Sequence, residues 1–313
     1  MVYDVIKDLP PLCAWILFPS GVNPWSADDW HTFGFNDVLA SITAIPSWIV
    51  HTGWAGVGVD KEKWFVGGHS NGGQGTWFTL LHHPDKVFAA SPLSGYLSIQ
   101  SYVPYTLWRP TIAPKKRAVL DATGASFHAG LLASNAKGIP VLIQHGGEDD
   151  NVPVYHSRLM TQLLGEAGVE STFVEVPGQG HWWDGVVTTD VLVDFYKEQF
   201  GRAHVERNVP RRFKVIVANP VDHSGMYGVR VLYLLEYGEL GRVVVEWDEE
   251  EMVWRFETEN VMALKWNGEK LGSSVVVDGM KIGLGDPGMT HVWRDESGKW
   301  TVKVTARRTR SLY

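Results

Sequence analysis

Cysteine is nearly absent from the 313-residue chain, and the lone Cys13 excludes both an internal disulfide framework and a multi-cysteine metal site. Set in PPLCAWILF, Cys13 is expected to be a buried apolar residue. Positive charge never gathers into a run: the formal net charge is −7, and no basic stretch interleaves with aromatics, so no nucleic-acid partner is expected. The sequence reads as having no apolar run of membrane-spanning length, so no membrane partner is expected. It also shows no basic segment leading into a hydrophobic stretch and cleavage site, and no N-x-S/T sequon. On that reading the chain is cytoplasmic, or secreted if residue 1 is not its natural start. H-E-x-x-H and comparable ligand clusters are missing. The glycines between 53 and 58 do not form G-x-G-x-x-G, and Lys61 does not complete a phosphate loop. No metal and no cofactor are expected.

The composition that remains is that of a folded protein, 44% hydrophobic and 20% charged. Residues 1 to about 203 alternate short apolar runs with helical patterns, which predicts an α/β domain with a mainly parallel sheet. Strands are read in CAWILFP, KWFVGG, KVFAASPLSG, IPVLIQHGG and STFVEVPGQG. Helices are read in DVLASITAIPSWIV, GQGTWFTLLHH, VPVYHSRLMTQLLGEAG and TDVLVDFYKEQF, the third opened by Pro153 and closed by Gly168. After the polar stretch GRAHVERNVPRR the pattern becomes alternating and β-branched. Residues 204–313 therefore read as a second domain, an antiparallel β-sandwich, with turn signals at Asn267-Gly268 and Asp278-Gly279.

The chemistry concentrates in three loops. Gly68, His69, Ser70, Asn71 and Gly72 make the G-x-S-x-G spacing between a strand and a helix, where a sharp turn exposes the middle hydroxyl and needs small neighbours. Acyl transfer by such a serine needs an imidazole to take its proton, a carboxylate to orient that imidazole, and N–H groups for the oxyanion. Glu148, Asp149 and Asp150 follow one later strand, and Asp149 is preferred from its place in HGGEDDNVP. His181 follows the next strand. All three loops lie at the C-terminal ends of strands read as parallel, where such sheets place their chemistry. His145 reads as packing or hydrogen bonding at its strand end, and His69 as filling the inner side of the turn. Among the 15 tryptophans most read as core, while Trp182 and Trp183 are assigned to an aromatic-walled substrate pocket.

With GGHSNGGQGTW, HGGEDDNVPVYHSR and PGQGHWWDG, residues 13 to about 200 resemble the prolyl-oligopeptidase-like (S9-type) serine hydrolases, particularly large fungal-type members. The resemblance implies Ser70 as nucleophile, Asp149 as acid, His181 as base and the Asn71 N–H as one oxyanion donor. It also sets Trp30 and His31 in the family's W-H position, as substrate-binding residues. Only 69 residues precede Ser70, so the α/β-hydrolase-like sheet is expected to be shortened on its N-terminal side. The loop PSGVNPW is the remaining source of a second oxyanion N–H. The function expected is a serine-type peptidase acting through an acyl-enzyme on a small peptide, with a carboxylesterase acting on an ester as alternative. A reading of another class is a catalytically impaired binding or scaffold protein, and a third gives carbohydrate binding to the Trp-rich sandwich.

Overall fold

The computed structural model describes residues 7–20, 29–31, 33–103, 113–272, 274–283 and 289–303. The chain forms two compact units, one from Met1–Pro114 and Phe127–Arg207, the other from Lys115–Ser126 and Asn208–Tyr313. The helix Pro114–Gly124 thus falls almost wholly in the second unit, ahead of the sandwich strands in sequence.

The first unit is built on four strands, β1 (Trp64–His69), β2 (Val87–Leu93), β3 (Leu142–Gly146) and β4 (Thr172–Val176). They are hydrogen-bonded in the order β1-β2-β3-β4, every pair parallel. Parallel neighbours require crossovers, and these include the helices α2 (Asn71–His82) between β1 and β2 and α3 (Tyr155–Glu166) between β3 and β4. β2 and β3 are almost entirely buried, as inner parallel strands are, and the polar Ser91, Gln144 and His145 within them are hydrogen-bonded. Helix α4 (Asp190–Arg202) supplies Leu192 and Tyr196 to a core shared with Leu93, Leu142 and Val186.

Three sequence expectations change here. CAWILFP is not a strand: residues 15–20 run irregularly, with Ile16, Leu17 and Phe18 exposed. An apolar run becomes a strand only where a neighbour completes its ladder, and β1 is the edge of the sheet. Cys13 is exposed rather than buried, because it sits in that same unpaired stretch. Finally, the helix read in DVLASITAIPSWIV extends as α1 (Phe33–Thr52), with Pro46 inside it. By length and composition α1 could cross a membrane, correcting the reading that no such run exists.

The second unit is two packed sheets, as expected. Strands β5 (Arg212–Val217), β7 (Gly241–Asp248), β8 (Val253–Glu259), β10 (Ser274–Val277) and β11 (Met280–Gly283) form one, in the order β11-β10-β8-β7-β5. Strands β6 (Arg230–Leu234), β9 (Val261–Asn267), β12 (Met289–Arg294) and β13 (Trp300–Lys303) form the other, in the order β13-β12-β9-β6. Pairing is antiparallel except between β10 and β8. Phe213, Val245, Phe256, Trp266 and Val292 lie in the core between the sheets. Asp278 and Gly279 turn β10 into β11 with φ of 48° and 79°, the left-handed pair such a two-residue turn needs. The Asp278 carboxylate then accepts from Thr258, Arg294 and Trp300, joining both sheets. Asn267-Gly268 does not make a hairpin turn: Asn267 caps the one-turn helix Gly268–Leu271, accepting from the Glu269 N–H at 2.9 Å.

Candidate active site

The strand β1 passes directly into α2 through Ser70, whose φ of 62° and ψ of −118° lie outside the ordinary regions for a residue with a side chain. The turn is held by the Ser70 N–H donating to the Leu93 carbonyl at 2.9 Å and by Gly73 and Gln74 donating to the Ser70 carbonyl. It is possible only with glycine at 68, since a Cβ there would stand 2.4 Å from the Gly72 oxygen. The Asn71 N–H makes no hydrogen bond among the described residues and lies at the positive end of α2.

At the far end of β3, Gly146 closes against the loop from β4. A Cβ on Gly146 would stand 2.1 Å from the Gly180 oxygen, so only glycine permits this approach. The two loops thereby bring an acid and an imidazole together. Nδ1–H of His181 donates to Oδ2 of Asp149 at 2.7 Å, and Nε2 accepts from the Ser70 hydroxyl at 2.9 Å. Asp149 is buried, and its Oδ1 accepts from the N–H groups of Asn151 and Val152 at 3.0 and 2.8 Å. Asp150, by contrast, is exposed. A hydroxyl bonded to an imidazole that a buried carboxylate orients is the arrangement that proton removal from serine requires.

Two further histidines touch this line. His145, fully buried, donates through Nε2 to the Val152 carbonyl at 2.8 Å and approaches Asp149 Oδ2 at 3.1 Å, while its Nδ1 accepts from Ser157 at 2.7 Å. Burial holds its pKa below the ordinary value, so it stays neutral. His69 donates from Nε2 to the carbonyl of His181 at 2.7 Å. Burial first, then the neighbouring His181, pushes its pKa down to about 4. The sequence placed His145 at its strand end and His69 inside the turn; His145 approaches Asp149 within one strand-to-loop segment, while the bond of His69 to His181 joins separate loops.

The first residue of α2 carries another cluster that sequence reading missed. The buried Asp29 accepts at Oδ1 from the Tyr96 hydroxyl at 2.6 Å and from the Asn71 amide at 2.9 Å, and Asn71 also donates to Tyr96 at 2.9 Å. The signal available was a carboxylate directly before the W-H pair. Trp30 donates its indole N–H to the Asn71 carbonyl at 3.1 Å. Trp182, 48% exposed, packs edge-on against His69. Trp183 packs on the apolar cluster around Leu93 and Tyr196, and His31 stacks on Phe127 at 3.7 Å. Gly21 to Trp25 of PSGVNPW lie outside the described residues. A cavity of about 1010 Å³ follows the β1 edge, with Trp30, Asn71 and Gly68 among its walls.

The fold and these loops define an α/β-hydrolase-like protein with a serine, an imidazole and a carboxylate in line at the ends of its parallel strands. The chain belongs to the prolyl oligopeptidase family, whose model matches residues 47–203. An uncharacterized secreted protein of Arthroderma benhamiae (strain ATCC MYA-4681 / CBS 112371) is 40% identical over 309 residues, which cover 96% of this chain. The match covers 33% of that relative, so the chain spans about a third of its length. Among solved structures, Porphyromonas gingivalis dipeptidyl peptidase 4 is 22% identical over 55% of this chain and 22% of its own, with a TM-score of 0.39. Puromycin hydrolase is 16% identical over 56% of this chain and 26% of its own, with a TM-score of 0.42.

Proposed function

We propose that the chain carries a cofactor-free serine hydrolase site that works through an acyl-enzyme. In this reading the His181 imidazole takes the Ser70 proton as the hydroxyl oxygen attacks a carbonyl carbon. Asp149 holds the imidazole in the tautomer that can accept, and stabilises the imidazolium that results. The Asn71 N–H donates to the tetrahedral oxyanion. His181 then gives its proton to the leaving group, and water repeats the sequence in reverse to release the acid. The observation that carries this reading is the unbroken line Ser70–His181–Asp149, with hydrogen bonds of 2.9 and 2.7 Å.

Family membership favours a short peptide as the acyl donor, with an ester as the alternative because the same groups cleave both. Trp182, exposed beside His69, and Trp30, against Asn71, are the aromatic residues assigned to the substrate. The secreted relative supports action outside the cell, in place of the cytoplasmic expectation.

The test is labelling by a fluorophosphonate, followed by turnover of peptide and ester substrates. Labelling that disappears in Ser70→Ala and persists in Asn71→Ala is the expected result. Asp149→Asn should lower kcat by about 10⁴, as loss of the orienting carboxylate does in other serine hydrolases, while Asp150→Asn should change it little. Folded protein that takes no label would leave the binding or scaffold reading in its place.

A further inference from the structure

The outer face of the four-stranded sheet carries a row of basic side chains with no counter-charge among the described residues. Arg230 of β6 lies opposite Lys265 of β9, and Lys265 lies opposite His291 of β12. Directly opposed residues of antiparallel strands share a face, and like charges in that position destabilise the pair. All three residues are part-buried. Among the described residues none of the three side chains has an ion pair or hydrogen bond, and the buried Nε of Arg230 lacks an acceptor. Burial, then Arg230, lowers the pKa of Lys265, and burial, then Lys265, lowers that of His291.

The other sheet of the same unit is built the opposite way. There Arg242 faces Glu259 with a 2.6 Å ion pair, and Arg212 faces Glu246. A chain of net charge −7 has carboxylates to spare, yet none stands in the row Arg230–Lys265–His291. Two residues further along β9, Tyr233 and Trp293 both lie opposite Ala263, with their rings 4.8 Å apart and Tyr233 47% exposed. The basic row crosses three strands, about 10 Å, and the aromatic pair lies about 7 Å along the strand from it.

We infer that this face binds an acidic polysaccharide, its carboxylates on Arg230, Lys265 and His291 and a sugar ring against Tyr233 and Trp293. Arg230 and Lys265 supply the charge that holds anionic groups, and the neutral His291 imidazole adds an N–H donor beside them. The adjacent aromatic pair offers a flat apolar surface that suits the C–H face of a sugar. A nucleic acid would call for a wider basic surface to meet successive phosphates, which the acidic composition does not provide.

Affinity electrophoresis of the full chain through gels containing polygalacturonate tests this. The protein should be retarded at low salt, released at high salt, and unaffected by neutral dextran. The double substitution Arg230→Gln with Lys265→Met should weaken retardation at least about tenfold. It should also raise the melting temperature, because it relieves like-charge repulsion, and that rise certifies the variant as folded. Tyr233→Ala should weaken binding to polygalacturonate and leave weak binding to polyglutamate, which has carboxylates without sugars, unchanged. Absence of retardation for the native chain, equal retardation of the folded double variant, or equal affinity for polyglutamate or single-stranded DNA would overturn the inference.

Discussion

Nε2 of His145 lies 3.1 Å from Oδ2 of Asp149, the same oxygen that Nδ1 of His181 reaches at 2.7 Å. With the Nδ1–H of His181 on Oδ2 and two backbone N–H groups on Oδ1, the buried carboxylate has three donors, and the His145 N–H, bonded to the Val152 carbonyl, sets its dipole beside Oδ2. It explains how Asp149 is held without a cationic partner of its own: neutral dipoles satisfy it.

His145 is thus a positioning residue. His145→Ala should lower kcat about tenfold with KM nearly unchanged, because the Val152 peptide that donates to Asp149 loses its tie to the strand end while the substrate surface stays intact. His145→Gln, which can keep a donor near the Nε2 position, should recover part of the loss. Steady-state kinetics on an ester substrate checks both, and a change confined to KM would refute the assignment.

The close approach of β3 to the loop before His181 makes a second expectation. Gly146→Ala places a methyl 2.1 Å from the Gly180 oxygen and 2.5 Å from that of Gln179. The backbone next to His181 must move, and a displacement near 1 Å costs on the order of 100-fold in turnover. Gly165→Ala is the contrast. That glycine lies within α3 with no atom in the way of a new Cβ, so it should add roughly 0.5–1 kcal/mol of stability. Urea denaturation with parallel activity assays separates the two outcomes.

Much of this site was legible because its determinants are local. G-x-S-x-G needs only a strand, a helix and small residues between them. HGGEDDNVP and PGQGHWWDG each follow an apolar run, so their places at strand ends could be read from the pattern. What stayed hidden depends on neighbours distant in the chain. CAWILFP has the composition of a strand but no partner to pair with among the described residues. Asp29 is 42 residues from Asn71, and nothing around it in sequence marks it as buried. The Asp278 hub needed the registers of both sheets.

The Asp29–Asn71–Tyr96 cluster carries a stability expectation. Burial, and after it the Asp29 carboxylate, raises the Tyr96 pKa well above the usual tyrosine range, so its hydroxyl remains a donor at every working pH. Asp29→Ala strips the acceptor from both donors and should cost about 1–3 kcal/mol. Asp29→Asn keeps an acceptor oxygen and should cost less. Because Asn71 carries the proposed oxyanion N–H, Asp29→Ala should also reduce kcat. If it melts like the native protein, the cluster is not holding the turn.

Acid sensitivity follows from the buried imidazoles. The His69 pKa is lowered from 6.5 to about 4 by folding, mainly through burial. Between those values the unfolded chain binds a proton that the folded chain refuses, so stability rises with pH across that interval. The contribution is fully present above about pH 6.5 and lost as pH falls toward 4, roughly 3 kcal/mol from this residue alone. His145, His128 and His156 are shifted in the same direction by burial and add to the slope. His69→Gln can keep a donor toward the His181 carbonyl while removing the titration. Its melting temperature should therefore fall less than that of the native protein between pH 7 and pH 4.5. Parallel curves for the two proteins would mean that His69 is not the group that acid charges.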